Sequence, residues 1–259
     1  MIQPGDQIIG LARNITKAKA IVPENVIIKK GDFNEHITMR ASLKGVDKLL
    51  FISSQPGQAV SRSTQHLNVV RAAQEAGVKF IAYTSFPHAD TATTPLAVDH
   101  QITEKALQAT HIPTSFLRNN WYLENETATL KTALEQKIFI DATDGQPAGW
   151  ALEAEYAQAA ANVLTLTHPQ PVYELSGPAQ TYPELLGYMP ASIAVKSVAF
   201  PQLKVELAAA KYPNDQVAAI TFNQQIIADG QLSQTSNDLP KLLGHALMNP
   251  HDALQQVLK

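Results

Sequence analysis

Five short apolar runs, separated by helical patterns, constrain the fold of this chain more than any other feature. The runs read QIIGLA, NVIIKKG, DKLLFIS, VKFIAYTS and PTSFLRN, and all lie before residue 140. Each has the length of a strand, and most lack the alternation of apolar and polar residues that marks a strand with one wet face. Because strands buried on both faces are joined by crossover helices, the sequence predicts an α/β fold with a Rossmann-like parallel sheet.

After about residue 140 the pattern changes. Short strand-like runs, AGWAL, VYELS and IAVKSV, alternate with helical stretches such as Glu153 to Thr165 and Pro201 to Lys211. We therefore predict a Rossmann-like dinucleotide-binding domain over 1–140 and a smaller α+β substrate or cap region over 141–259.

Composition excludes several classes of function. A net charge of −3 lacks the basic excess needed to grip nucleic-acid backbones, so direct nucleic-acid binding is not expected. No apolar run approaches the roughly 20 residues of a membrane span, and the start MIQPGDQ has no features of a signal peptide. The chain has no cysteine, which excludes thiol nucleophiles and thiolate metal sites. These features predict a cytoplasmic protein without a membrane partner.

Ligands of open parallel sheets bind at the carboxyl ends of the strands, so the residues there are candidates. Arg13 follows the first strand and, with Lys17, suits a ribose 2′-phosphate, although a solvated arginine in a turn is equally simple. Asp32 and Phe33 follow the second strand. They suit the amino group and ring of an adenine, or a helix cap.

The third and fourth strands end in small hydroxyl residues. Ser53 and Ser54 let a cofactor pass close to the backbone, or they form a turn. Tyr83, Thr84 and Ser85 offer three hydroxyls where a nicotinamide ribose would lie, or they cap the next segment.

The fifth strand ends in RNNWYLEN, Arg118 to Asn125. Three amides, an arginine, two aromatic rings and a glutamate crowd into eight residues. Such crowding is poor core and favours a pocket.

Two other constellations are discounted. His100 and Glu104 are four apart, as two metal ligands would be, but a third ligand is not evident and we predict no metal site. Ser85, His88 and Asp90 lie on one loop without a G-x-S-x-G elbow, so hydrolysis is not expected.

The order and spacing of several motifs resemble the NmrA-like, atypical short-chain dehydrogenases, in particular their NADPH-dependent, quinone-reducing branch. The motifs are GVDKLLFISS, QHLNVVRAAQEAGVKFIAYTSFPHAD, HQITEKAL and SFLRNNWYLEN. The likeness runs from about Gln7 to about Leu175 and returns in LGH at Leu243 to His245. It implies a Rossmann domain with a small C-terminal substrate domain, and reduction of quinones or related carbonyl compounds by NADPH.

The resemblance also implies roles for individual residues. Arg13 matches the family's arginine at the adenosine phosphate, and Ser53 and Ser54 match serines that line the cofactor. The segment 119–124 matches the one along the nicotinamide and its neighbouring pocket. Its implied cofactor contacts are Asn119, Asn120, Trp121 and Glu124. Asn120 stands where the family has glycine, so its side chain is expected to narrow the pocket.

The expected chemistry depends on positioning more than on an enzyme acid. Lys105 occupies the helix position of the short-chain dehydrogenase lysine, but Gln101 stands where the catalytic tyrosine would be. Hydride transfer to a quinone yields a stabilised phenolate that water can protonate. Tyr122 is the nearest candidate for a proton donor or a stacking partner, unless it only packs beside Trp121.

The family's first strand and its G-x-x-G-x-x-G turn have no counterpart in this sequence. None of the twelve glycines falls in that pattern. We expect a complete form to carry this unit, about 20 residues, before Met1, and the present form to bind NADPH weakly. A non-catalytic NAD(P)-sensing regulator that acts through protein partners is the alternative, and a homodimer is left open.

Overall fold

The computed structural model describes residues 5–259, which form eight strands and eleven α-helices. The strands are β1 (Ile8–Ala12), β2 (Val26–Lys30), β3 (Lys48–Phe51), β4 (Phe80–Ser85), β5 (Thr114–Asn119), β6 (Ile138–Asp141), β7 (Val172–Leu175) and β8 (Ala194–Ser197). The helices are α1 (Ile15–Lys19), α2 (His36–Leu43), α3 (Arg62–Ala76), α4 (Pro95–Ala109), α5 (Thr127–Gln136), α6 (Glu153–Thr165), α7 (Tyr182–Leu186), α8 (Leu203–Ala209), α9 (Asn214–Ala228), α10 (Asp238–Leu243) and α11 (Pro250–Leu258).

The five apolar runs are the first five strands, which confirms the α/β prediction. β1 pairs in parallel with β2, and β3 pairs in parallel with β4. A second sheet has the strand order β3-β4-β5-β7. Its last strand, β7, has the sequence VYEL and lies in the predicted strand VYELS. The run AGWAL was predicted as a strand and forms only isolated bridges, at Ala148 and Ala151.

The sheet is interrupted between β1 and β3. Within residues 5–259, β1 and β2 form a sheet of their own, and no ladder of hydrogen bonds joins β1 to β3. Without a strand between them, β1 and β3 could pair directly or leave open edges, and the structure has the second arrangement. Ile52, directly after β3, has 61% of its surface exposed.

Helix α3 is the crossover from β3 to β4. Ser61 caps its first turn by accepting a hydrogen bond from the Thr64 amide, and Gly77 ends it with φ of 76°. Its inner face carries Val69, Val70 and Ala73 into the core formed with α2, α4 and the strands. This packing fixes the first two turns of α3 beneath the carboxyl end of β3.

The chain divides into two compact units. The first comprises 5–90, 95–117 and 160–173, and the second comprises 91–94, 118–159 and 174–259. Helix α5 packs against β6, α9 and α11 within the second unit, and the predicted division into a dinucleotide-binding domain and a substrate region at residue 140 stays a prediction. In the part of the chain that the structure describes, no helix is both long and apolar enough to cross a membrane.

Candidate functional site

The turn after β3 is held by side chains of α3 and β4. The Ser53 amide donates to Thr84 Oγ1 at 2.9 Å, and the Ser54 amide donates to His66 Nε2 at 3.0 Å. Arg62 Nε donates to the Ser54 carbonyl at 2.6 Å. The buried Ser54 Oγ has no hydrogen-bond partner in the protein. The turn therefore presents a fixed backbone and an unsatisfied hydroxyl, which fits a polar ligand such as the expected cofactor.

His66 was missed in the sequence, although the signal was there. It lies in QHLNVV, on the helix face that also carries the buried Val69 and Val70. Burial, with a smaller contribution from the Arg62 guanidinium, lowers the pKa of His66 to about 3. The imidazole is therefore neutral at physiological pH, and its role is that of a hydrogen-bonding group rather than a charge.

The three hydroxyls at the end of β4 are all used inside the protein. Tyr83 OH lies 2.9 Å from His100 Nδ1, and Ser85 Oγ donates to Glu104 Oε1 at 2.6 Å. Thr84 holds the turn described above. Burial raises the pKa of the Tyr83 phenol above its usual range. In the structure these three hydroxyls bond to neighbouring protein groups, and their predicted contacts with a cofactor stay predictions.

The pair suggested by metal-ligand spacing does not converge on one point. His100 bonds to Tyr83, whereas Glu104 bonds to Ser85. Among residues 5–259, no group of three or more His, Asp or Glu side chains is arranged to hold a metal ion.

Lys105 is exposed on α4, in contrast to the buried Glu104 beside it. Successive helix residues point about 100° apart, and on α4 the buried face includes Thr103 and Glu104 but not Lys105. The sequence left open whether Lys105 hydrogen-bonds a nicotinamide ribose as a catalytic residue or is solvated, and its contact with a cofactor stays a prediction. In the structure the glutamate takes the inward place.

The loop after β2 is fastened to α3. Asp32 Oδ1 accepts from the Asn34 amide at 2.9 Å, and Asn68 Nδ2 donates to the Phe33 carbonyl at 2.9 Å. The Phe33 ring stands edge-on to Phe51, with centroids 5.6 Å apart. Both predicted residues therefore have structural partners, and their contacts with an adenine stay predictions.

Arg13 is exposed directly after β1. Lys30 Nζ donates to its carbonyl at 3.0 Å, and Asn14 caps α1 by accepting from the Lys17 amide. The Lys30 ammonium therefore lies at this turn, and Lys17 belongs to the short helix α1 that follows it. This environment suits a phosphate, and the predicted contact of Arg13 with a 2′-phosphate stays a prediction.

The segment 118–125 lies in the second unit, and part of its polar character is structural. Arg118 Nη1 pairs with Glu174 Oε1 at 3.0 Å. Glu124 Oε2 accepts from the Glu153 amide at 3.0 Å, at the first residue of α6. A carboxylate at a helix start is stabilised by the unpaired amides there.

Asn120 is buried and fully engaged. Its Nδ2 donates to the carbonyls of Leu232 at 3.1 Å and Gln234 at 3.2 Å, and its Oδ1 accepts from the Trp121 amide at 2.8 Å. The side chain thus anchors the segment 118–125 to the loop at 232–234, and the expectation that it narrows a pocket stays a prediction.

Asn119 and Tyr122 form the part of the segment best suited to a ligand. Asn119 Nδ2 donates to Tyr122 OH at 3.0 Å, while the buried Asn119 Oδ1 has no partner in the protein. The Tyr122 ring lies 5.1 Å from that of Tyr156 and is half-buried.

Glu126 was also missed, because nothing in the sequence distinguishes it from an acidic residue at a helix start. Its carboxylate is buried and accepts from Trp121 Nε1 at 3.0 Å and Tyr182 OH at 3.1 Å. Burial raises the pKa of Glu126 to about 7, and the hydrogen bonds only partly oppose this shift. The group therefore ties Trp121, a predicted site residue, to α7.

Comparison with known proteins agrees with this arrangement. Residues 2–144 match the NAD(P)H-binding family. The chain is 36% identical over 248 residues to quinone oxidoreductase 2 of Escherichia coli, covering 93% of this chain and 86% of that protein.

Solved structures show the same likeness along almost the whole chain. Triphenylmethane reductase of Citrobacter sp., complexed with NADP(H), is 31% identical with a TM-score of 0.88, covering 99% of this chain and 92% of that one. The NADPH-dependent quinone oxidoreductase of Escherichia coli, complexed with NADPH, is 33% identical with a TM-score of 0.88 and the same coverage. This chain therefore belongs to the NAD(P)H-binding, NmrA-like family of oxidoreductases.

Proposed function

We propose that this protein is an NADPH-dependent quinone reductase. The likeness to quinone oxidoreductase 2 over 93% of the chain carries the proposal. The reaction moves one hydride from the reduced nicotinamide to the quinone and takes one proton from a donor group or water, so that quinone, NADPH and H⁺ become hydroquinone and NADP⁺.

The first unit is proposed to bind the dinucleotide. Arg13 binds the 2′-phosphate, because a guanidinium can meet two phosphate oxygens at once and the Lys30 ammonium adds positive charge at the same turn. The Ser53–Ser54 turn offers a backbone fixed by three hydrogen bonds and the unsatisfied Ser54 Oγ. A fixed turn contributes by orienting the ligand before the reaction.

The second unit is proposed to bind the quinone. Asn119 fixes the Tyr122 phenol, which can donate a hydrogen bond to a quinone oxygen as negative charge develops there. Protonation of the resulting phenolate needs no strong acid, which agrees with the absence of a tyrosine at Gln101.

Purified protein, NADPH and a small 1,4-benzoquinone test the proposal. We expect loss of absorbance at the reduced-nicotinamide band, with one hydroquinone formed for each NADPH consumed. Binding of NADPH without oxidation would instead support the regulator. Micromolar binding would contradict the sequence expectation that this form binds NADPH weakly.

The variant Tyr122→Phe tests whether the Tyr122 hydroxyl takes part in reduction of the quinone. We expect a kcat reduced about tenfold or more, with the KM for NADPH little changed, because the lost group faces the quinone oxygen. An unchanged kcat would remove Tyr122 from the mechanism.

A triphenylmethane dye is the second candidate substrate, favoured by the likeness to triphenylmethane reductase over 99% of the chain. The same NADPH assay with a cationic dye, followed by its decolorisation, separates the two. A kcat/KM higher for the dye than for the quinone would assign the dye.

A further inference from the structure

We propose that His66 is a positioning residue of the cofactor site, which holds the Ser53–Ser54 turn in its binding conformation through one locked tautomer. The inference rests on the proposed binding of NADPH at this turn. It adds a residue that does not itself touch the cofactor.

The hydrogen bonds around the imidazole fix where its proton lies. The Ser54 amide can only donate, so Nε2 of His66 accepts at 3.0 Å and carries no hydrogen. The single proton of the neutral ring is therefore on Nδ1. Nδ1 lies 2.8 Å from Thr103 Oγ1, whose own hydrogen is donated to the Asp99 carbonyl at 2.6 Å.

Each link of this chain has one direction. Ser54 N–H donates to His66, His66 Nδ1–H donates to Thr103, and Thr103 donates to the α4 backbone. The Tyr83 hydroxyl, 3.4 Å from Nδ1, is a second and more distant neighbour. Reversing the tautomer would place Nε2–H against an amide N–H, so the turn and the tautomer stabilise each other.

The surroundings keep the ring in place and neutral. The side chain has no exposed surface, and the rings of Phe51 and Tyr83 stand edge-on to it at 5.2 Å and 5.9 Å. Arg62, which binds the Ser54 carbonyl from the same helix, opposes a positive charge on the imidazole. A neutral acceptor at this point is thus available over the whole working range of pH.

Loss of the acceptor, His66 Nε2, should loosen the turn and leave the rate of the chemical step little changed. The partly buried Ser54 amide would lose its partner, and the turn would shift to find another. We therefore expect weaker NADPH binding with little change in kcat at saturating NADPH. A residue with only a core-packing role would lower stability without this selective effect.

Three variants and one control test the inference by direct titration of NADPH fluorescence. His66→Leu removes the acceptor and should weaken binding about tenfold, whereas His66→Gln keeps a side-chain carbonyl and should stay within about threefold of wild type. Thr103→Val removes the acceptor of Nδ1–H and should give an intermediate loss. Leu67→Ala, an exposed neighbour on α3, is the control and should bind as wild type does.

Nitrogen-15 NMR of the imidazole gives a readout independent of activity. We expect a neutral ring protonated on Nδ1 from pH 5 to pH 8. An Nε2-protonated or titrating ring would overturn the inference, as would wild-type NADPH binding by a folded His66→Leu protein.

The two proposals fail separately. If His66→Leu does not fold, Thr103→Val and the NMR tautomer decide the inference. If wild-type protein does not bind NADPH, the proposed function fails, and the cofactor-positioning role fails with it even where NMR shows the locked tautomer.

Discussion

Glu126→Gln should make the protein more stable at alkaline pH and remove part of its pH dependence. The Glu126 carboxylate is buried with Trp121 Nε1 and Tyr182 OH as hydrogen-bond donors. No ion pair involves it among residues 5–259. Burial of an anion without a cation costs free energy.

The magnitude follows from the pKa. Burial raises the pKa of Glu126 from 4.5 to about 7. At about 1.4 kcal/mol per pKa unit, the ionised form costs the folded state about 3 kcal/mol. Between these values the folded state binds more protons than the unfolded state. The free energy of unfolding therefore falls as pH rises through this window, and about 2 kcal/mol of the loss lies between pH 5.5 and 8.

Glutamine keeps the shape and one acceptor but does not ionise. It forgoes a stronger hydrogen bond, which costs about 1 kcal/mol at every pH. Relative to wild type, the variant should therefore gain about 2 kcal/mol in free energy of unfolding between pH 5.5 and 8.

Urea denaturation at pH 5.5, 6.5, 7.25 and 8 measures this difference, and equal m-values confirm that the same transition is compared. Glu135→Gln, at an exposed position of α5, sets the baseline for removing one surface carboxylate. A difference between wild type and Glu126→Gln that stays constant across these pH values would refute the reasoning.

Three further predictions concern binding and packing. Arg13→Ala should weaken NADPH binding by about 1.5 to 3 kcal/mol and NADH binding little, by fluorescence titration; equal losses would argue against a 2′-phosphate contact. Asn120→Ala should lower the free energy of unfolding by about 2 kcal/mol, because it abandons two buried carbonyls and one amide. A free energy of unfolding of Asn120→Ala equal to that of wild type would instead support a role of Asn120 in ligand binding. Gly177→Ala should lose about 3 kcal/mol, since the added Cβ would overlap the Trp150 carbonyl, and a urea midpoint equal to wild type would contradict this packing.

The strands and the α/β class were predictable because a strand buried on both faces is a continuous run of apolar residues in the sequence. Each of the first five strands is a continuous apolar run, and Gly77 closes α3 with the positive φ expected of it. The family was predictable from the order of its motifs. These properties depend on residues that are neighbours in the chain.

The interruption of the sheet between β1 and β3 was only partly predictable from the sequence. The sequence identified two apolar strands that lacked a partner between them, but not which arrangement they adopt. Sheet pairing depends on what else competes for each edge, so only the structure decided that β1 pairs with β2 alone.

The roles of the polar residues were decided by tertiary structure. RNNWYLEN was interpreted as a pocket because polar groups crowd there, yet Asn120 bonds to a carbonyl 112 residues away. Conversely, His66 and Glu126 became important through partners on other elements. Composition and periodicity show that a polar group is near the core, but its partner is set by the path of the whole chain. For this reason the sequence determined the strands and the family, whereas the fold alone decided which partner each polar side chain has.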